Sequence, residues 1–344
     1  MWLNGIISAM NLSTLGEFNL IALIKDAVQH TQEQPSEAAQ RMRIGIGDDA
    51  AVWVGSDLLQ LCTTDAMIEN VHFAFSWCSW EDLGYKSLAV NLSDIAAMGG
   101  QPHYALVSLS CPGNVQSEAI LDYYRGMTHL AVEHGVVIIG GNLTTSPLVT
   151  STVVVMGEST TGAVLQRSCA RRGDVVAVTG TLGAAAAALH LLTRDAALPR
   201  TEVPEPLMCA LVRPHARLAE GQALNEEGVE CAIDISDGLL SDLNHICESS
   251  LVSATVRSHL LPISTECHTL VEDPLPLALT GGEAYELLFT CRPSMFPRVA
   301  DRLNCPVTVI GEIGTRTESP GVTVLGRDGL PIEIRHTGWR HFTP

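Results

Sequence analysis

The stretch CAIDISDGLLSDLNHICESS, residues 231–250, shows the local pattern that decides the fold. An apolar strand runs into the acidic turn DISDG, and a helix follows. Elsewhere a capping box at Ser79–Asp82 opens a helix that the pattern extends to about Met98, and VVIIGGN (136–142) is a strand that ends in a glycine turn. Strands and helices mix without a clean βαβ alternation. The sequence therefore predicts an α+β fold with mixed sheets rather than a doubly wound parallel sheet.

The length of the chain favours two domains. A chain of 344 residues is long for one ordinary core, although one large α/β domain is the alternative. The composition becomes basic and rich in turn residues in TTGAVLQRSCARRGD (160–174). We therefore predict an N-terminal domain over residues 1–165 and a C-terminal domain over residues 166–344.

The charge balance excludes several kinds of partner. With 38 acidic and 20 basic side chains, the formal net charge is −18, so the surface repels nucleic acid and anionic membranes. Any bound phosphate then needs metal cations. The ten cysteines form no C-x-x-C pair, no apolar run reaches the roughly 18 residues of a membrane span, and the first ten residues lack a basic region. We expect a cytoplasmic protein that binds neither nucleic acid nor membrane.

Several carboxylates occupy positions that packing does not explain. They follow glycines, end strands, or lie among apolar residues of a helix: Asp49, Asp65, Asp94, Asp234 and Asp237. If four of them converge, each pair at 4 Å repels by about 4 kcal/mol at an effective dielectric near 20. Mg²⁺ fits such a site best, because it binds carboxylates, waters and phosphates together. Thr63 and Thr64 offer further oxygen ligands beside Asp65.

Each carboxylate also has an ordinary structural interpretation. Asp237 is equally consistent with a helix N-cap, and Asp65 with a loop cap. Asp94 and Asp234 are harder to explain in this way, because both lie among apolar neighbours and a buried carboxylate normally needs a partner.

Glycine turns and a few basic residues give weaker signals for phosphate. Gly141 and Asn142 end a strand with accessible N–H groups, or form an ordinary turn. Arg167 either clamps a phosphate or solubilises a linker. His72 is a lone histidine, which is more often structural than functional.

Taken together, ten segments of the chain resemble the bacterial thiamine-monophosphate kinase family, within the aminoimidazole-ribonucleotide-synthetase-like superfamily. Three of them carry most of the specificity: NLSDIAAMG, DISDGL and GGEAYEL. The others are GEFNLI, GIGDDAAV, TTDAMIENVHF, IIGGNLTTSP, RSCARRGD, VAVTGTLG and the terminal GWRHF. They run in order from residue 16 to residue 342, over nearly the whole chain.

This resemblance implies a function and a set of roles. It implies ATP-dependent phosphorylation of thiamine monophosphate to thiamine diphosphate, and a homodimer whose N-terminal domains pair. It also implies that ATP and several Mg²⁺ ions bind in the cleft that the C-terminal domain closes. The implied metal ligands are Asp49, Thr63, Thr64, Asp65, Asp94, Asn142, Asp234 and Asp237. The resemblance further implies that Asp65, Asp94 and Asp237 support phosphoryl transfer, without a covalent intermediate. The nucleotide contacts are Tyr124, Gly141, Asn142, Arg167 and Ser236, and the substrate contacts are His72, Glu283 and Trp339.

The chain departs from the family pattern at two positions, and other functions stay open. Many members have Asp at the position of Asn142, which can offer a metal only a neutral oxygen, and Asp at the position of Ala284. Trp339 could also be a C-terminal anchor rather than a flat surface for a cationic ring. The alternatives are another ATP-using member of the superfamily and a nucleotide-binding protein with weakened catalysis.

Overall fold

The computed structural model describes residues 15, 17–29, 36–46, 51–194, 198–334 and 338–339. The chain divides into two compact units, Met1–Leu92 with Pro102–Glu158, and Ser93–Gln101 with Ser159–Pro344. The sequence predicts one crossing near residue 165. In the structure the chain enters the second unit for the short stretch Ser93–Gln101, returns, and finally leaves the first unit after Glu158.

The first unit is built around a mixed sheet. Its elements, three of which continue across the division, are α1 (Glu17–Gln29), α2 (Glu37–Arg41), β1 (Met42–Ile44), β2 (Val52–Trp53), β3 (Gln60–Ile68), α3 (Trp80–Ala97), β4 (Gly100–Cys111), α4 (Ser117–Glu133), β5 (Val137–Thr145) and β6 (Thr150–Ser159). Within the described residues one sheet has the order β3-β6-β4-β5, and β1 pairs with β2. β3 and β6 are antiparallel, whereas β4 and β5 are parallel.

Helix α3 is held in the first unit by its cap and by close contact with α4. The predicted capping box is confirmed, because the Asp82 N–H donates to Ser79 Oγ and the Ser79 N–H donates to the Asp82 carboxylate. A Cβ on Gly84 would lie 1.7 Å from the carbonyl oxygen of Tyr123, so only glycine lets the two backbones approach this closely. These contacts fix the N-terminal half of the helix within the first unit.

The second unit combines a larger sheet with flanking helices. Its elements are β7 (Val175–Thr179), α5 (Ala184–Thr193), α6 (Glu205–Val212), α7 (Leu218–Glu226), β8 (Cys231–Asp234), α8 (Leu239–Ser250), β9 (Val252–Arg257), α9 (Thr265–Leu270), α10 (Pro274–Thr280), β10 (Leu287–Cys291), α11 (Phe296–Arg302), β11 (Val307–Arg316) and β12 (Gly321–Leu325). The described part of this sheet has the order β12-β9-β11-β7-β10-β8. β12 runs parallel to β9, and the other pairs that involve β7, β10 and β11 are antiparallel.

The apolar face of α8 covers this sheet. Leu239, Leu243 and Ile246 are buried against strand residues that include Val178 and Ile233. The predicted strand, acidic turn and helix over residues 231–250 are thereby confirmed, as is the α+β class with mixed sheets. Across the described residues no helix is both long and apolar enough to cross a bilayer.

Candidate active site

The acidic turn after β8 begins with a buried carboxylate that contacts α3. Asp234 is the last residue of β8, and Ser93 Oγ donates a hydrogen bond to its Oδ2 at 2.7 Å. Both residues are buried and both belong to the second unit. Because Asp94 follows Ser93 directly, the structure brings the segments of two predicted metal ligands together.

One further carboxylate holds the turn itself. Oδ2 of Asp242 accepts hydrogen bonds from the backbone N–H groups of Ser236, Asp237 and Gly238 at 3.1, 3.2 and 3.1 Å. Burial, together with the charges of Asp234 and Asp237, raises the pKa of the Asp242 carboxyl, whereas the N–H groups of Gly238 and Asp237 favour its ionised form and lower the pKa. Negative charge is therefore concentrated at this turn.

The glycine-rich segment GGEAYE, residues 281–286, runs beside the acidic turn. The Glu283 N–H donates to the carbonyl of Ser236 at 2.7 Å, and the Tyr285 N–H donates to the carbonyl of Ile235 at 2.8 Å. Glu283 and Tyr285 have φ angles of 66° and 49°, in the left-handed region that non-glycine residues rarely adopt. Such strain persists where surrounding contacts fix the backbone, and it is common at functional sites.

Trp339 also contacts the acidic turn. Its backbone N–H donates to the carbonyl of Asp237 at 3.0 Å, and the residue is 51% exposed. A Cβ on Gly338 would lie 2.6 Å from that same carbonyl oxygen, so glycine is required for this approach. Asp237 and Trp339 line one cavity of about 800 Å³, together with one face of α8 and strand β12. Within the second unit, two predicted substrate contacts, Glu283 and Trp339, thus lie beside the turn that carries Asp237, a predicted metal ligand.

Arg167 lies near the opposite end of β8. Its carbonyl accepts from Ser250 Oγ at 2.9 Å and from the Cys231 thiol at 3.8 Å, and its side chain is exposed. Cys231 begins β8 and Asp234 ends it, which separates them by roughly 10 Å. Because its backbone lies away from the acidic turn, Arg167 could reach a nucleotide at that turn only with the end of its long side chain.

In the first unit, Thr63, Thr64 and Asp65 lie on the edge strand β3. Thr63 and Asp65 share one face of the strand, whereas Thr64 faces the other way and its hydroxyl donates to the Val153 carbonyl at 3.0 Å. His72 follows β3 in a turn, and its Nδ1 accepts from the Ile68 N–H at 3.0 Å. This bond leaves Nε2 as the nitrogen that carries the proton in the neutral ring.

The remaining predicted contacts of the first unit lie elsewhere. Gly141 and Asn142 are exposed on β5, which lies at the opposite edge of the sheet from β3, a lateral separation of three strand spacings or roughly 14 Å. A Cβ on Gly141 would lie 1.9 Å from the Val107 carbonyl oxygen, so packing alone explains this glycine. Tyr124 is only 4% exposed. The strand order separates Gly141 and Asn142 from the strand that carries Asp65, and the ligand contacts of Tyr124, Gly141 and Asn142 stay predictions.

The side chains present suit Mg²⁺ chemically. Asp49 lies outside the described residues. The other predicted ligands offer only carboxylate, hydroxyl and amide oxygens, the donors that a hard cation takes. Asp234, Asp237 and Asp242 place three carboxyl groups at or beside the acidic turn, which a cation would help to neutralise. In the part of the chain that the structure describes, no three His, Cys, Asp or Glu side chains form a metal-binding group. Substrate phosphates and water would have to complete the coordination.

Sequence reasoning missed the residues that support these groups. Ser93, Asp242 and the pair Arg217–Glu286 were not predicted as site residues. Glu286 ends the GGEAYE segment, and its carboxylate accepts two hydrogen bonds of 2.7 Å from Arg217 and one of 2.6 Å from Thr179. One available signal was the acidic residue in the first turn of α8, where carboxylates commonly bind free backbone N–H groups.

Fold and site together define a two-domain protein of the AIR synthase-related class. The family model for the AIR synthase related protein N-terminal domain matches residues 47–159, and the model for its C-terminal domain matches residues 171–323. The thiamine-monophosphate kinase of Bacillus subtilis (strain 168) is 35% identical over 95% of this chain and 100% of its own length.

Solved structures agree with this class. A crystal structure of thiamine-monophosphate kinase from Stenotrophomonas maltophilia K279a has a TM-score of 0.79 and 36% identity, and the match covers 91% of this chain and 97% of that one. The structure of AaThiL complexed with AMPPCP and TMP has a TM-score of 0.71 and 34% identity, and covers 97% and 99%. The chain belongs to the thiamine-monophosphate kinase family, and by that membership it is a kinase.

Proposed function

We propose that the chain transfers the γ-phosphoryl group of ATP to thiamine monophosphate, which gives thiamine diphosphate and ADP. Family membership supports this reaction, as does a relative whose structure holds AMPPCP and TMP. The observation that carries it is the arrangement around the acidic turn. Glu283 and Trp339 are far from that turn in the sequence, yet their backbone N–H groups donate to the carbonyls of Ser236 and Asp237 at 2.7 and 3.0 Å.

The substrate contacts suit a cationic, phosphorylated heterocycle. The half-exposed indole of Trp339 offers a flat π face beside the 800 Å³ cavity, and the carboxylate of Asp237 lines the same cavity. A cationic ring is attracted both by an aromatic face and by negative charge. The GGEAYE segment adds Glu283, whose backbone is fixed in a strained conformation. These groups bind and orient the acceptor, and they do no covalent chemistry.

The transfer step requires little proton chemistry. A terminal phosphate oxygen of thiamine monophosphate attacks the γ-phosphorus of ATP in line, the bond between that phosphorus and the β–γ bridging oxygen breaks, and ADP leaves with the bond electrons. The nucleophile is already anionic, so a strong general base is unnecessary. The main obstacle is repulsion between two phosphates. Bound Mg²⁺ would supply neutralisation of that charge.

Each unit, taken by itself, carries residues that are predicted to hold Mg²⁺. Thr63 and Asp65 share a face of β3 in the first unit, and Asp94, Asp234 and Asp237 belong to the α3 end and the acidic turn of the second. We expect Asp65→Asn and Asp94→Asn each to abolish Mg²⁺-dependent ADP formation while the circular dichroism spectrum stays that of the wild type. Near-normal turnover in both variants would refute the metal assignment.

An ADP-release assay over a panel of phosphorylated acceptors tests the function directly. We expect ADP formation with thiamine monophosphate, dependence on Mg²⁺, and thiamine diphosphate as the product by chromatography. A different preferred acceptor would favour another ATP-using activity. ATP binding by calorimetry without turnover on any acceptor would favour a nucleotide-binding protein, as Asn142 and Ala284 would allow.

We also propose that the protein works as a cytoplasmic homodimer that pairs through its first unit. Several apolar side chains of that unit are exposed in the single chain, including Val52, Val54 and Leu59 at 45%, 50% and 52%. Pairing with a second copy would remove such side chains from water, and exposed apolar patches commonly mark protein–protein contacts. Sedimentation equilibrium tests the proposal, and a monomer at micromolar concentration would contradict it.

A further inference from the structure

The carboxylate of Asp242 has no role in the proposed reaction, yet it binds three backbone N–H groups of the acidic turn. A single oxygen accepts three consecutive backbone N–H groups, those of residues 236–238. Asp242 is 2% exposed and lies in the first turn of α8. Peptide N–H groups that point at one oxygen fix the backbone angles of the residues between them.

The same three peptides carry the groups on which the proposed site depends. Ser236 and Asp237 supply side chains, the Ser236 carbonyl binds the Glu283 N–H, and the Asp237 carbonyl binds the Trp339 N–H. A change in this backbone would therefore move predicted metal, nucleotide and substrate contacts together.

We propose that Asp242 is a positioning residue, whose carboxylate holds the turn 234–238 in the conformation that binds the Mg²⁺–nucleotide complex. This inference rests on the proposed function. Some residues hold metal ligands in place by hydrogen bonds without touching the ion. Their substitution commonly lowers metal affinity or activity by about 10- to 100-fold.

The substitution Asp242→Asn tests this role with little change of shape. A neutral amide oxygen accepts weaker hydrogen bonds than a carboxylate, so we expect faster amide hydrogen exchange at residues 236–238 in the protein without ligand. By calorimetry with a non-hydrolysable ATP analogue, the Mg²⁺ concentration for half-maximal binding should rise about 10- to 100-fold. Excess Mg²⁺ should recover turnover, and Asp242→Ala should show larger effects than Asp242→Asn.

Asp174 provides a matched control. It is also a buried carboxylate of the second unit, 6% exposed, and it accepts a hydrogen bond from the backbone N–H of Arg171 at 3.0 Å, away from the acidic turn. Asp174→Asn should lower the melting temperature without changing the Mg²⁺ requirement or the exchange of residues 236–238.

The outcomes separate the inference from the proposed function. If Asp242→Asn lowers stability as Asp174→Asn does, and leaves both amide exchange and the Mg²⁺ requirement at wild-type values, the positioning role is wrong. If the wild type itself binds no Mg²⁺–nucleotide complex, the proposed function fails and the positioning role fails with it. If the wild type does bind the complex, but amide exchange at residues 236–238 is the same in Asp242→Asn as in the wild type, the positioning role alone is wrong.

Discussion

The buried carboxylate of Glu158 should make the stability of the first unit depend on pH in a defined way. Glu158 lies at the end of β6 and is 6% exposed. Nη1 of Arg41 donates to both of its oxygens at 3.1 and 3.2 Å, Ser56 Oγ donates to Oε2, and His103 Nε2 lies 3.1 Å from Oε1. Burial by itself raises the pKa of Glu158, but the hydrogen bonds outweigh it and lower the pKa from 4.5 to about 2.

The magnitude follows from linkage between protonation and folding. A fall of about 2.5 pKa units at 1.36 kcal/mol per unit gives about 3 kcal/mol of stability from the ionised form. Because the folded pKa is depressed, this contribution is fully present above the unfolded pKa of 4.5 and is lost as the pH falls towards 2. Glu158→Gln removes the charge at every pH. The difference between wild type and variant should therefore be about 3 kcal/mol at pH 7 and should shrink steadily below pH 4.5.

Urea unfolding at a series of pH values measures that difference. Glu312→Gln is the control, because Glu312 forms an exposed ion pair with Arg257 at 3.1 Å and such pairs contribute about 0–1 kcal/mol. A Glu158→Gln variant that loses less than about 1 kcal/mol at pH 7, or a difference that does not change between pH 5 and pH 3, would refute the argument.

Three further predictions concern the acidic turn. Trp339→Ala should raise the KM for thiamine monophosphate by about 2- to 30-fold, the equivalent of a cation–π contact of 0.5–2 kcal/mol, and leave the KM for ATP unchanged; initial rates measure both. Gly338→Ala should raise the same KM, because the new methyl group would lie 2.6 Å from the Asp237 carbonyl oxygen, and a wild-type KM would contradict that crowding. Ser93→Ala removes the 2.7 Å hydrogen bond to Asp234 and should lower the unfolding free energy by about 2 kcal/mol in urea; an unchanged midpoint would show that the bond contributes nothing.

The sequence predicted local elements well where the pattern was strong. The helix opened at Ser79 and the strand, turn and helix of residues 231–250 are present as expected. These predictions succeeded because capping residues, glycine turns and apolar spacing act over a few residues. The brief passage of the chain through the second unit at Ser93–Gln101 could not be predicted. It depends on contacts with residues more than a hundred positions away, such as Asp234.

For the candidate site, too, the sequence predicts local features but not which distant segments come together. Asp234, Asp237 and Glu283 were predicted from their place in motifs, since a carboxylate after a strand or a glycine turn is conspicuous in a sequence. The strand order that separates Asn142 from Asp65 was not visible, because nothing in either segment specifies which strands lie at the edges of the sheet.

The supporting residues were missed for a different reason: they bind the backbone or another side chain, and no ligand chemistry distinguishes them. Asp242 binds peptide N–H groups, Ser93 binds Asp234, and Arg217 binds Glu286. All three lie on helices or at helix ends, and all three hold a loop that carries predicted ligand contacts. Substitution of a ligand residue should therefore reduce turnover and leave stability nearly intact, because an ion or substrate is its main partner. Substitution of a supporting residue should reduce both, because the same hydrogen bond serves the fold and the geometry of the site.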